Sequence, residues 1–417
     1  MEQPSIPICE ERISRHPPFV LAFVAIIVVA LTTGCVGRSS PQATGTQPAS
    51  PSIPSEAPSP SRAIVRPSMA RRNGEWVVIS VSSLDPDARP MSRGKPANLF
   101  VTEPGGSARL LAGAKGDSTL ETCPAFSPDG SMLAYGQTGP YGQTRPVEKT
   151  LVVSGFSSAG ELVGPTTRIP VPAARSFVRP CPVWAPDGRR LATIAPGLGV
   201  MIVDLDGGTH LVRLDAYGLH EEDPTLRWSP DGSHLALLVS TSQSHETLRL
   251  IPAGGGAAHL LPGIDPDTNS IAWTADGGSI VVAGGGCCPG GRPFVEVVDV
   301  TTGDTHEIPL PGTWDTLGYE ALIGSEGDRF LLMRGWDRPL SWIDLQGNVT
   351  PVKLEHPMAT VPTLSPDGQQ LLYVTYGQPF GAQTLVAVPL DGDSPTRYSP
   401  STDAYGDNYA TYTWQPR

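Results

Sequence analysis

Phe126-Ser-Pro-Asp-Gly130 is the stretch on which the reading of this sequence turns. It returns as Trp184-Ala-Pro-Asp-Gly188, Trp228-Ser-Pro-Asp-Gly232, Trp273-Thr-Ala-Asp-Gly277 and Leu364-Ser-Pro-Asp-Gly368, with a degenerate copy, Ile323-Gly-Ser-Glu-Gly327. Their first residues are spaced 58, 44, 45, 50 and 41 apart. Pro presets φ for a first turn position, Asp suits the second, and Gly takes the left-handed conformation that follows. Each phrase is therefore a hairpin turn. A short apolar run follows each copy, as in Met132-Leu-Ala-Tyr135 and Leu235-Ala-Leu-Leu-Val239.

Working outward, a second set of hairpin signals lies further along each unit: Ile202-Val-Asp-Leu-Asp-Gly207, Val297-Val-Asp-Val-Thr-Thr-Gly303, Ile343-Asp-Leu-Gln-Gly347 and Val386-Ala-Val-Pro-Leu-Asp-Gly392. Each unit thus reads as four short strands in a row, and such sheets repeated every 40–50 residues are the mark of a β-propeller. Residues 76–113 supply a second, third and fourth strand without a first. The chain finishes with Ala410-Thr-Tyr-Thr-Trp414, a first strand cut off at its turn. The expected fold is all-β: a seven-bladed propeller over 73–417, its ring closed by the C-terminal strand completing the N-terminal blade. Six or eight blades stay open, because the copy at Ile323 is degenerate.

Composition agrees. The 417 residues include 46 Gly and 45 Pro, which disfavours long helices, and a hydrophobic share of 39% argues against wholesale disorder. With a net charge of -12 the chain repels phosphate backbones, so no nucleic-acid partner is expected.

The aromatic-Ser-Pro-Asp-Gly hairpin resembles the repeat of the TolB-type, WD-like β-propellers over roughly residues 73–417. The resemblance implies the fold. It does not point to the Tol protein itself, whose small α/β domain has no counterpart here. Similar blades precede serine peptidase domains, but no such domain follows and no Gly-x-Ser-x-Gly elbow is present.

The N-terminus supplies an expected address. Phe19 to Leu31 is an unbroken apolar run, followed by Thr32-Thr-Gly-Cys35. That pattern fits a secretory signal, and Cys35 resembles the lipid-modified cysteine of a bacterial lipobox, with Thr32 standing where Leu is usual. The alternative is an uncleaved anchor helix, since Phe19 to Gly37 carries no charge. Residues 1–37 are thus a signal peptide or anchor. Residues 38–72 form a Pro- and Ser-rich stalk that cannot bury enough surface to order itself. Both readings place the propeller outside the cytoplasm, tethered to the cell membrane.

In such a ring, second-to-third loops and blade-to-blade connections share one face, where ligands usually bind. Cys123 and Cys181 stand at the same offset before the motif aromatic in consecutive blades, so they form a disulfide or remain ordinary buried thiols. Cys287 and Cys288 are adjacent in a Gly-rich loop, where a vicinal disulfide or a metal site is open. No zinc-type cysteine spacing accompanies them, and neither a metal nor a cofactor is expected. His220, His245 and His356, with Asp223 and neighbouring carboxylates, either make a cation-attracting mouth or are a solvated rim. No catalytic residue stands out. Two functions remain open: a scaffold that binds a protein, a peptide or an envelope glycan, or an extracytoplasmic enzyme, such as a metal-assisted hydrolase or lyase, working at the channel mouth.

Overall fold

A computed structural model describes residues 76–81, 98–113, 119–139, 148–173, 179–214, 225–240, 246–285, 293–310, 320–334, 340–354, 362–365, 368–376, 383–390, 396–398 and 411–415. They form seven four-stranded antiparallel sheets and, among the described residues, no helix. The first blade holds β1 (Val77–Val81), β2 (Asn98–Thr102) and β3 (Arg109–Ala112). Its innermost strand is the last of the chain, β28 (Thr411–Trp414), which pairs antiparallel with β1 from Val77↔Trp414 to Ser80↔Thr411. The ring is therefore closed by the C-terminal strand, as the strand count of residues 76–113 requires.

The other six blades are simple meanders. Blade two is β4 (Leu120–Phe126), β5 (Met132–Thr138), β6 (Lys149–Phe156) and β7 (Leu162–Pro170); blade three is β8 (Val183–Trp184), β9 (Arg190–Ala195), β10 (Gly199–Asp204) and β11 (Thr209–Arg213). Blade four is β12 (Thr225–Trp228), β13 (His234–Ser240), β14 (Glu246–Pro252) and β15 (His259–Leu261); blade five is β16 (Thr268–Trp273), β17 (Ser279–Gly284), β18 (Phe294–Asp299) and β19 (Thr305–Glu307). Blade six is β20 (Glu320–Glu326), β21 (Arg329–Arg334), β22 (Ser341–Asp344) and β23 (Val349–Pro351); blade seven is β24 (Thr363–Leu364), β25 (Gln370–Tyr376), β26 (Gln383–Pro389) and β27 (Thr396–Tyr398).

The core is not a single mass but lies in the seams between blades. Successive side chains on a strand point to opposite faces of the sheet, so each blade packs against both neighbours. On β13, Leu235, Leu237 and Val239 join the seam with blade three, while Ala236 and Leu238 join the seam with blade five. Seven such clusters follow one another around the ring, and the last joins blade seven to Val77, Ile79 and Trp414 of blade one. Burying each large aliphatic side chain stabilises the seam by about 1.5–3 kcal/mol.

The motif aromatic does more than fill space. Trp184 donates its indole N–H to the Ala125 carbonyl at 2.9 Å, Trp228 to Val183 at 3.1 Å and Trp273 to Arg227 at 3.2 Å. Each acceptor immediately precedes the aromatic of the previous blade. The repeat thus ties successive innermost strands together. Trp414, at the closing seam, is buried with its indole nitrogen unpartnered among the described residues.

The turns behave as their chemistry demands. Ser229 donates its hydroxyl to Asp231 Oδ1 at 2.6 Å, Ser233 N–H donates to the same oxygen at 2.9 Å, and His234 N–H donates to Ser229 Oγ at 2.9 Å. Gly232 follows with φ +68°, where a Cβ would be strained. Ser127-Asp129 and Thr274-Asp276 repeat the arrangement. The third-to-fourth turns use Asp204, Asp299 and Asp344 in the same way, each capping backbone N–H groups two to four residues on. The copy at Ile323 is a blade hairpin with a different turn. Gly324 and Glu326 replace the Ser or Thr and the Asp whose side chains tie the turns above, so β20 keeps its ladder to Glu326↔Arg329, and a bulge between Leu322 and Gly324 absorbs the slack.

Candidate functional site

Antiparallel meanders put the motif turns at one end of every blade and the second-to-third loops and blade connections at the other. The loop face is where the sequence places its candidate ligands. His220, Asp223, His245, His356, Cys287 and Cys288 lie outside the described residues, as does Cys35. His210, His259 and His306 sit exposed on the outermost strands β11, β15 and β19.

Cys123 and Cys181 are joined by a disulfide, with Cα atoms 5.0 Å apart. The bond links the innermost region of blade two to the segment leading into β8. Cys123 sits in a bulge of β4, where the pairing shifts between Thr122 and Ala125, and it has φ +52°. The bulge turns the side chain out of the strand's alternation and toward blade three. Opposite it, the Pro180 carbonyl packs on Gly136: a Cβ there would stand 2.3 Å from the oxygen. Glycine is required at 136 because the blades approach backbone to backbone.

Two polar clusters flank this disulfide at the loop-face end of blade two. On the side toward blade one, Glu121 is 1% exposed. Its Oε1 accepts from Thr119 Oγ1 at 3.0 Å and from Gln137 Nε2 at 2.8 Å, and Arg168 donates in turn to Gln137 Oε1. Glu121 Oε2 has no hydrogen-bond partner among the described residues. Burial, reinforced by the negative charge of Glu121, pushes the Tyr135 hydroxyl up to about 12, against a smaller downward pull from Arg168.

On the side toward blade three, Lys149 is 6% exposed. Burial, and then the positive charge of Arg179, push its ammonium down to about 8. Thr138 lies directly across from Lys149 in the β5–β6 register, and Thr122 across from Gly136 in the β4–β5 register. Leu151, two residues from Lys149, packs in the seam with blade three, so Lys149 faces that seam. From the other blade, Thr193 lies between Ala192 and Ile194, which pack toward blade four, so it faces blade two. Thr122, Thr138 and Thr193 are all buried, and none of their hydroxyls has a hydrogen-bond partner among the described residues.

Arg227 on β12 differs from both. Its side chain keeps solvent-accessible surface and donates to the Leu226 carbonyl at 3.1 Å, and desolvation by the surrounding protein lowers its pKa. Glu296 on β18 has its pKa raised by burial and then by Asp265. Among the described residues no group of three His, Cys, Asp or Glu is close enough to hold a metal ion.

None of these buried polar groups stood out in the sequence. One signal was available: Lys149 is one of only four lysines in the chain, at the head of an apolar run. Glu121, Thr138 and Thr193 carried none, since a polar residue in a strand ordinarily faces water.

No protein-family model and no curated protein matches the chain. Solved structures do. TolB of Acinetobacter baumannii is 18% identical, over 82% of this chain and 67% of that one, with a TM-score of 0.43. A prolyl endopeptidase is 16% identical, over 82% of this chain and 50% of that one, with a TM-score of 0.52. Prolyl oligopeptidase B of Galerina marginata is 14% identical, over 75% of this chain and 48% of that one, with a TM-score of 0.51. The chain spans about half the length of the two peptidases. At such identities the likeness is one of fold. The protein is a seven-bladed β-propeller.

Proposed function

We propose that the chain is a membrane-tethered, extracytoplasmic propeller that binds a protein, a peptide or an envelope ligand on its loop face. One observation carries the reading: the repeated polar chemistry is consumed within the fold. Asp129, Asp231 and Asp276 are each held by their own turns, and three motif tryptophans by the seams. Among the described residues, what differs from blade to blade lies at the opposite end: Glu121, Lys149 and Arg179. A face that varies while its scaffold repeats is the usual design of a recognition surface. The tether rests on the apolar run Phe19–Leu31, Cys35 and the Pro/Ser-rich stalk.

The test is crosslinking of the full-length chain in intact membranes, with wild type and Cys35→Ala side by side. Wild type is expected to sediment with membranes and give a discrete crosslinked product, and Cys35→Ala to lose the mass of an attached lipid. Recovery of wild type in the cytoplasmic fraction overturns the tether. A stoichiometric transition metal in the purified protein, lost in His220→Ala or His356→Ala, overturns the pure binding role in favour of a metal-assisted enzyme.

A further inference from the structure

The seam between blades one and two holds a carboxylate that no cation pairs with among the described residues. Glu121 is 1% exposed. Its two side-chain hydrogen bonds, from Thr119 Oγ1 at 3.0 Å and Gln137 Nε2 at 2.8 Å, both go to Oε1, and both donors are neutral. Arg168 reaches only as far as Gln137 Oε1. Glu121 Oε2 is covered and meets no donor among the described residues. A carboxylate out of water is costly until a cation joins it. A second oxygen converges on the same place. A Cβ built on Gly113 would stand 2.1 Å from Asn98 Oδ1 and 3.1 Å from Glu121 Oε2. Those distances hold the two oxygens to about 5 Å apart at most, which a single Ca²⁺ spans with two bonds of about 2.3–2.6 Å. Two acceptors thus face each other, and neither oxygen receives a hydrogen bond among the described residues. Asn98 opens β2 and Gly113 follows β3, both at the loop-face end. Gly113 is exposed and Asn98 half-buried, so the covered oxygen lies just beneath the surface. The field of the carboxylate is felt nearby: after burial, the charge of Glu121 is what most raises the Tyr135 hydroxyl, and it outweighs Arg168.

We propose that Glu121 Oε2 and Asn98 Oδ1 are ligands of a divalent hard cation, Ca²⁺ or Mg²⁺, which ties blade one to blade two at the loop face. Such ions take carboxylate, amide and water oxygens alike, so the site needs no trio of His, Cys, Asp or Glu, and water completes the shell from the Gly113 side. The assignment goes beyond the binding role proposed above and does not depend on the identity of any loop-face partner.

Titration calorimetry of the full chain in detergent, with CaCl₂ and separately with MgCl₂, tests the assignment against a blank of NaCl at equal ionic strength. Saturable binding of one ion per chain is expected in at least one arm, with a Kd of about 10⁻⁴–10⁻³ M, because a single charged ligand makes a weak site. Tighter binding of Ca²⁺ assigns the site to Ca²⁺, and equal or tighter binding of Mg²⁺ assigns it to Mg²⁺. Glu121→Gln keeps the shape and the acceptor for Thr119 and Gln137, and is expected to weaken binding about tenfold or more. Asn98→Asp adds a charge at the second oxygen and is expected to tighten it by about the same factor. Glu161→Gln, exposed in the turn at the other end of blade two, is expected to leave it unchanged. The bound ion should also raise the urea midpoint of wild type and not that of Glu121→Gln. No saturable heat with wild type in either arm means that the Asn98 amide donates to Oε2 in place of an ion, and overturns the site. Binding by Glu121→Gln or by Asn98→Asp equal to that of wild type also overturns it. Failure of this titration leaves the membrane crosslink untouched, and loss of the crosslink leaves this site standing.

Discussion

Removing the disulfide between blades two and three has a calculable effect. Cys123 and Cys181 are 58 residues apart, and the loop they close spans one whole blade. In the chain-entropy treatment, a cross-link over a loop of that length removes about 4 kcal/mol of disorder from the unfolded chain at 25 °C. The native seam keeps its other ties when the bond is lost: Trp184 still donates to Ala125, and the cluster of Met132, Leu151, Leu191 and Met201 stays packed. The double variant Cys123→Ser/Cys181→Ser is therefore expected to fold, at a loss of about 2–4 kcal/mol, the lower end allowing for residual structure in the unfolded chain. With a urea m-value of about 3 kcal/mol/M, the midpoint falls by about 1 M. The assay is equilibrium urea unfolding followed by tryptophan fluorescence, with and without reductant. Reductant should lower the wild-type midpoint to that of the double variant and leave the variant unmoved. Replacing Cys123 by Gly instead of Ser, in the same background, should recover about 1 kcal/mol, because φ of +52° suits glycine. An unreduced wild type whose midpoint matches the double variant would refute the reasoning, as would peptide mapping that finds both thiols free.

Two further outcomes follow from the repeat. Trp228→Phe should destabilise the ring by about 1 kcal/mol, the worth of its hydrogen bond to Val183, whereas Trp414→Phe should have a smaller effect because that indole is unpartnered; urea unfolding of the two variants checks the contrast. Hydrogen bonds from the Ser229 hydroxyl and then from Ser233 hold the Asp231 carboxyl down to about 2. Its folded value lies below its unfolded value, so its contribution is complete above about pH 4 and disappears as pH falls toward 2. Carboxyl NMR titration should show Asp231 moving upward in Ser229→Ala, and a Ser229→Ala protein whose Asp231 titrates unchanged contradicts the turn geometry.

The hairpin chemistry was legible because it is local. Pro, Asp and Gly act on the dihedrals of their own turn, and Ser229, Asp231 and His234 need only five positions of chain to meet. The blade count was legible for a related reason, since residues 76–113 lack a first strand and the chain ends on one. The different turn after Glu326 was harder to foresee, because it depends on how far β20 and β21 stay in register once the Ser/Thr and Asp of the turn are gone.

Sequence by itself determined the period of the repeat, the turns and the need for Trp414 to return to β1, all of which follow from short-range backbone preferences and from counting strands. Only tertiary structure decided which polar groups share a seam. Thr138, Lys149 and Thr193 face one seam because two sheets pack face to face, and whether a strand residue faces water or a neighbouring blade is set by that packing. The indole bonds from Trp184, Trp228 and Trp273 belong with them, since donor and acceptor sit a full blade apart in the chain. Local patterns can specify a blade, but what lies between two blades belongs to both.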